Sequence, residues 1–321
     1  MRILVVGAGA IGGYFGGRLL AAGRDVVFLV RPKRAAQLAQ TGLVIRSRFG
    51  DVSWAAPPTV TADTLRDPFD LVLLSCKAYD LAAAADSVAP GVGTQTAILP
   101  LLNGMAHLDF LASRFGRGCV LGGLCVISAT LGPDGDIRHL NDSHRMAFGE
   151  QDGALSARSE AIAAALSGAG FESRPSKAIL QEMWEKWVFI ATAAGINCLM
   201  RASFGDIVAA GAVNLTTALF DECCAIAAAQ GFPPGEATRE FTRSMLTAPQ
   251  STITASMLRD IERRGPIEAD HIVGDLLRRS TAQPPNDRSL LRIAYAHLKA
   301  YEARRKRENA ATDAAGPVLP A

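Results

Sequence analysis

Aromatic residues are scarce in this 321-residue chain, at 6%, and the two signs of charge nearly cancel, 33 Lys and Arg standing against 31 Asp and Glu. A net charge of +2 carries too little field to favour nucleic acid, an anionic membrane or a polyanionic substrate as partner. Paired cysteines are missing as well: Cys76, Cys119, Cys125, Cys198, Cys223 and Cys224 form no CxxC pair and sit mostly in apolar stretches such as Leu73-Leu74-Ser75-Cys76. Such thiols pack as small hydrophobes, which argues against a disulfide scaffold and against a bound metal. No apolar run is long enough for a bilayer, since the longest nearly uncharged stretch, Trp187 to Met200, falls short of the roughly 20 residues required. Arg2 is followed at once by Ile3-Leu4-Val5-Val6 and a glycine cluster, not by the apolar core of a secretory signal. With 49% hydrophobic residues, the chain can bury the cores of about two domains at roughly 150 residues each. The expectation is a cytoplasmic protein that handles a small ligand, with a homodimer the one assembly entertained.

Short β-branched runs alternate with helical patterns through the first half, the signature of a parallel sheet covered by helices. The pattern predicts strands at Ile3–Val6, Val26–Val30, Leu71–Ser75, Ala97–Leu101 and Val120–Ile127. After about Pro175 the texture changes to Ala/Leu-rich segments with helical spacing, broken at Gly231-Phe232-Pro233-Pro234 and at Pro284-Pro285. The expected fold class is α/β, with a parallel-sheet domain over residues 1–176 and an all-α domain over 177–303. Residues 304–321 begin Arg304-Arg305-Lys306-Arg307, carry no periodic apolar face and are expected to form a flexible tail or a solvated helix end.

Gly7-Ala8-Gly9-Ala10-Ile11-Gly12 matches G-x-G-x-x-G directly after the first strand and at the start of a helix. In that position Gly7 permits the tight turn, Gly9 lets a pyrophosphate approach the backbone, and Gly12 lets helix and strand pack closely. A glycine-rich turn without a ligand has the same sequence. The second strand ends in Arg31-Pro32-Lys33-Arg34, where an NAD-specific site would carry Asp or Glu for the ribose 2′-hydroxyl. Arg31 there suits the 2′-phosphate of NADP, although a surface basic cluster reads alike. Ser75-Cys76-Lys77 and Asn103-Gly104 close two further strands, and with the glycine loop they outline one crevice at the carboxyl ends of the sheet.

From Trp184 to Met200 the only charges are Glu185 and Lys186. At helical spacing Lys186 shares a face with Glu182, Ile190, Ala193, Ala194 and Asn197. Either a snorkelling surface lysine or a desolvated proton donor accounts for it, because burial lowers a lysine's pKa towards neutrality. Spacing alone brings neither Ser256 nor Glu268 to Lys186. His107, His139, His144, His271 and His297 lie in separate segments without a nucleophile or metal-ligand pattern and are read as structural.

Five landmarks in order, GAGAIG at 7–12, SCKA at 75–78, NGM at 103–105, WEKW at 184–187 and SMLRDIERRGPIE at 256–268, resemble the ketopantoate reductase (2-dehydropantoate 2-reductase) family from Met1 to about Tyr301. The resemblance implies a Rossmann domain followed by a helical domain of the 6-phosphogluconate dehydrogenase C-terminal type. It further implies NADPH in the cleft and hydride delivered to the ketone carbon of a 2-oxo acid, ketopantoate first, as in pantothenate biosynthesis. On that footing the cofactor-binding set is Gly7, Ala8, Gly9, Ala10, Ile11, Gly12, Arg31, Lys77, Asn103, Ser128 and Glu268, Ser128 through its backbone. Lys186 resembles the family's proton donor and Glu268 the cleft glutamate, making these the catalytic pair. Asn103, Lys186 and Ser256 resemble the substrate-binding residues.

The chain departs from the family where asparagines would follow the catalytic lysine by one and two turns, having Ile190 and Ala194, and again where one would precede the substrate serine, having Ile253. Each hydrogen bond lost to a small polar substrate costs about 1 kcal/mol. Asn197 and Thr192 are the candidates to replace them in part. A reductase of a less polar oxo acid, or a redox sensor that binds NADP without turnover, are the alternatives these departures raise.

Overall fold

The structure, a computed structural model, describes residues 1–280 and 288–315. It divides into two compact units, Met1–Leu102 with Ala106–Met183, and Asn103–Met105 with the chain from Trp184 onward. The division thus falls inside a long helix, past the boundary expected at 176, and a short segment of the first half joins the second unit. Pro284-Pro285, where the sequence predicts a helix break, and residues 316–321 lie outside the described residues.

Ten strands belong to the first unit: β1 (Arg2–Val6), β2 (Asp25–Leu29), β3 (Leu43–Arg46), β4 (Val52–Trp54), β5 (Thr59–Val60), β6 (Leu71–Leu74), β7 (Ala97–Pro100), β8 (Gly122–Leu131), β9 (Ile137–Gly149) and β10 (Glu172–Pro175). The first sheet runs β5-β2-β1-β6-β7 with every pairing parallel. Its inner strands read as continuous apolar runs because both faces are covered, and Leu71, Val72, Leu73 and Leu74 are all buried. The helices of this unit are α1 (Ala10–Ala21), α2 (Pro32–Thr41), α3 (Leu81–Val88), α4 (Ala106–Phe115) and α5 (Ala157–Leu166), with the start of α6 (Ile179–Met200).

Val120–Ile127 does not extend the parallel sheet as expected. Val120 makes a single parallel bridge to Ile98, after which β8 pairs antiparallel with β9 in a second sheet of order β10-β9-β3-β4. The reason lies in the turn Gly132-Pro133-Asp134-Gly135, closed by Gly135 N–H to the Gly132 carbonyl at 3.0 Å, with Gly135 at φ +83°. So short a connection joins only antiparallel neighbours. Helix α1 packs beside both sheets through its glycines: a Cβ at Gly16 would lie 2.6 Å from the Phe28 ring, and one at Gly17 2.7 Å from Ile45.

The second unit is helical: the rest of α6, then α7 (Phe204–Ala209), α8 (Val213–Ala229), α9 (Glu236–Leu246), α10 (Ser256–Glu262), α11 (Asp275–Arg278) and α12 (Leu290–Ala315). One π-helical turn, Asp270–Gly274, leads into α11. Trp184 and Trp187 form its core with ring centroids 4.8 Å apart, and Phe232 stacks on Trp184 at 5.4 Å. Residues 304–315, expected as a tail, continue α12. Arg304 pairs with Glu308 at 2.7 Å one turn on, and Arg305 donates to the Arg264 carbonyl at 2.9 Å, so charged side chains and alanines sustain the end of the helix past its apolar face. Among the described residues no helix is long and apolar enough to cross a membrane.

Candidate active site

The glycine loop bends at Gly7, whose φ of +94° suits glycine and whose N–H donates to the Leu29 carbonyl at 2.9 Å. Gly12 allows the closest approach, since a Cβ there would lie 2.2 Å from both the Gly7 carbonyl oxygen and Ser75 Oγ. Ser75 locks the loop from β6, donating to the Val6 carbonyl at 2.9 Å. Gly9 differs: apart from its chain neighbours, a Cβ there would meet no atom within 4 Å. Gly9 is also the N-cap of α1, with no side-chain cap and no acidic residue in the first turn. An open backbone face at an uncapped positive helix end fits a pyrophosphate, so the residues present suit a dinucleotide.

Arg31 does not stand alone at the end of β2. Its guanidinium pairs with Asp80 at 2.6 Å, and Asp80 comes from the short turn Ala78–Asp80 that follows Lys77. The Arg31 side chain is 71% exposed, so an anion can reach it, but a 2′-phosphate must compete with a carboxylate already in place. Asp80 in turn holds the Arg31 guanidinium above its usual pKa. Arg34, one turn on, reaches the loop itself: Nε donates to the Ala8 carbonyl at 3.1 Å and Nη2 to Gly135 at 3.1 Å. Ser128 lies in β8 with its N–H donating to Asn141 Oδ1 at 2.8 Å, so its backbone amide already has a partner and only its carbonyl suits the contact expected of it.

In the second unit, Lys186 sits half-buried on α6 and donates to Asn103 Oδ1 at 2.9 Å. Glu268 is buried at 8% exposure just before the π turn, where its charge acts on His271. Ser256 is exposed in the first turn of α10. Asn197 and Thr192 do not replace the absent asparagines. Both are fully buried; Asn197 donates to the Ala202 carbonyl at 2.9 Å and accepts from Ala255 N–H at 2.8 Å, while Thr192 donates to the Val188 carbonyl at 2.8 Å.

His271, read as structural, lies against the Asn103–Gly104 backbone, where a Cβ on Gly104 would be 3.1 Å from its ring. His139 and His144 also cluster, stacked at 5.6 Å with Tyr14 hydroxyl 2.8 Å from His144 Nδ1. Nothing in the spacing of these histidines signalled either arrangement. The six cysteines are unbridged, and burial pushes the Cys198 and Cys223 thiols up to about 12. Among the described residues, no group of three or more His, Cys, Asp or Glu could hold a metal ion.

The ketopantoate reductase PanE/ApbA family matches residues 3–153, and the C-terminal part of the same family matches residues 178–302. The chain is 40% identical over 308 residues to the uncharacterized oxidoreductase YkpB of Bacillus subtilis (strain 168), spanning 94% of this chain and 99% of that protein. It is 26% identical over 282 residues to a 2-dehydropantoate 2-reductase of Archaeoglobus fulgidus, spanning 87% of this chain and 90% of that one. Among solved structures, the 2-dehydropantoate 2-reductase of Methylococcus capsulatus aligns with a TM-score of 0.82 at 28% identity, over 95% of this chain and 98% of that one. The glycine loop, the lysine helix and these matches together place the chain in the ketopantoate reductase family, whose members are NADP-dependent oxidoreductases.

Proposed function

We propose that this protein reduces a 2-oxo acid to the 2-hydroxy acid with NADPH, and that ketopantoate, as a step of cytoplasmic pantothenate biosynthesis, is the first substrate to test. The observation that carries this reading is the Lys186 ammonium held at 2.9 Å by Asn103 in a largely apolar helix. NADPH, when bound, supplies the hydride. The uncapped start of α1 and the open face of Gly9 would hold its pyrophosphate, and Arg31 would take the 2′-phosphate by exchanging Asp80 for it. Hydride arrival at a ketone carbon leaves negative charge on oxygen. Lys186 answers that charge twice, by stabilising the oxyanion and by giving it a proton from Nζ. Asn103 aims the ammonium, Glu268 is the second member of the catalytic pair in this reading, and Ser256 and Asn103 are the polar groups assigned to the substrate.

A less polar oxo acid is the second reading, and one observation favours it: Asn197 and Thr192 are spent on backbone partners, leaving Ile190 and Ala194 as the residues one and two turns after Lys186. NADPH oxidation followed at 340 nm over a panel of 2-oxo acids, from ketopantoate to branched and aryl-substituted ones, decides the matter. Turnover is expected with at least one of them. Tight NADPH binding with no turnover on any would overturn the reductase reading in favour of a sensor.

A further inference from the structure

Four groups of the second unit close a circuit around the lysine. Lys186 donates to Asn103 Oδ1 at 2.9 Å, and its neighbour Trp187 donates Nε1–H to the Ile272 carbonyl at 2.9 Å, both bonds leaving the same turn of α6. Ile272 lies in the π turn Asp270–Gly274, next to His271. The His271 ring in turn hydrogen-bonds the Asn103 backbone, which brings the circuit back to the acceptor of Lys186.

We propose that His271 is a positioning residue for the proton donor: by donating a ring N–H to the Asn103 carbonyl it fixes the turn that aims the Asn103 amide at Lys186. This rests on the reading of Lys186 as proton donor. Three features of the turn support it. Gly104 takes φ +83°, and a Cβ there would lie 3.0 Å from the His271 carbonyl and 3.1 Å from its ring, so histidine and turn are fitted face to face. The π turn is clamped from α12, Tyr295 donating to Asp270 at 2.5 Å and Lys299 to the same carboxylate at 2.9 Å, which leaves the imidazole little freedom. Single π-helical turns are frequent at functional sites. Burial holds the imidazole below its usual range despite the nearby carboxylates of Glu268 and Asp275, so at neutral pH it is an uncharged ring with one N–H to give.

The test compares His271→Leu, which removes the N–H, with His271→Gln, which keeps an N–H at similar reach. In His271→Leu, kcat is expected to fall between about 10- and 100-fold, the usual effect of misplacing a catalytic group by about 1 Å, with NADPH affinity and KM little changed. His271→Gln should recover most of the rate. Crystal structures of the same proteins read the geometry without turnover: the Asn103–Lys186 hydrogen bond should be lost in His271→Leu and present in His271→Gln. Unchanged kcat in His271→Leu, equal loss in both variants, or an intact Asn103–Lys186 bond in His271→Leu would each overturn the proposal. If the parent reduced no oxo acid, the reductase reading would fail while the two crystal structures still decided what His271 does.

Discussion

A methyl group added at Gly9 and one added at Gly12 would meet very different surroundings. At Gly12 it would lie 2.2 Å from backbone and from Ser75, so Gly12→Ala should destabilise the protein by about 1–3 kcal/mol, seen as a lowered Tm. At Gly9 it would point into open space, so Gly9→Ala should fold with the parent Tm yet weaken NADPH binding by about tenfold or more, as backbone contact with the pyrophosphate is lost. Calorimetry of both variants separates the two roles, and equal loss of stability in both would refute the assignment. These backbone features were legible because they depend on consecutive residues. Arg31 was legible only by half. Its position after β2 could be read, but its partner Asp80 comes from another strand's loop and could not. Since a phosphate must displace that carboxylate, Arg31→Ala should narrow the preference for NADPH over NADH by about one order of magnitude, within the range of a single charge-assisted contact. Direct binding titrations of both nucleotides measure it, and an unchanged preference would remove Arg31 from the site.

At the scale of elements, the long apolar strands and helix α6 were readable from their periodicity, and the short or polar ones were not. β4 has three residues and β5 two, too few for any alternation, and β9 carries charged and polar residues along its exposed face. The turn Pro133-Asp134-Gly135 was the available signal for the β8–β9 hairpin, and its weight was lost to an expectation of parallel strands. Helix α12 continued past its last apolar face because ion pairs and alanines sustain a helix that no core demands. Asn197, a candidate for replacing a missing asparagine in part, is a piece of the frame. Its amide satisfies the end of α6 and the entry to α10 at once. Asn197→Ala should therefore cost about 2–4 kcal/mol of stability, two buried hydrogen bonds with their partners left unsatisfied. Chemical denaturation reads this directly, and a variant of parent stability with altered substrate preference would return Asn197 to the substrate site.

On the scale of the whole molecule, the proposed chemistry divides between the two compact units: the first has the glycine loop and Arg31, the second the Lys186–Asn103 pair with Glu268 and His271. The glycine loop and the lone lysine of an apolar helix could be picked out in the sequence because they are local features, whereas the hydrogen bonds around the lysine join residues far apart in the chain. Separate halves predict separable functions. The most direct measurement is single-turnover hydride transfer by Lys186→Ala, with NADPH and the oxo acid both saturating and NADPH affinity determined in parallel. The account predicts parent NADPH affinity and a hydride-transfer rate lowered by about 10²–10⁴, the contribution of a positioned general acid. Hydride transfer at the parent rate would make Lys186 a structural residue and contradict the assignment of the second unit as the proton-donating half.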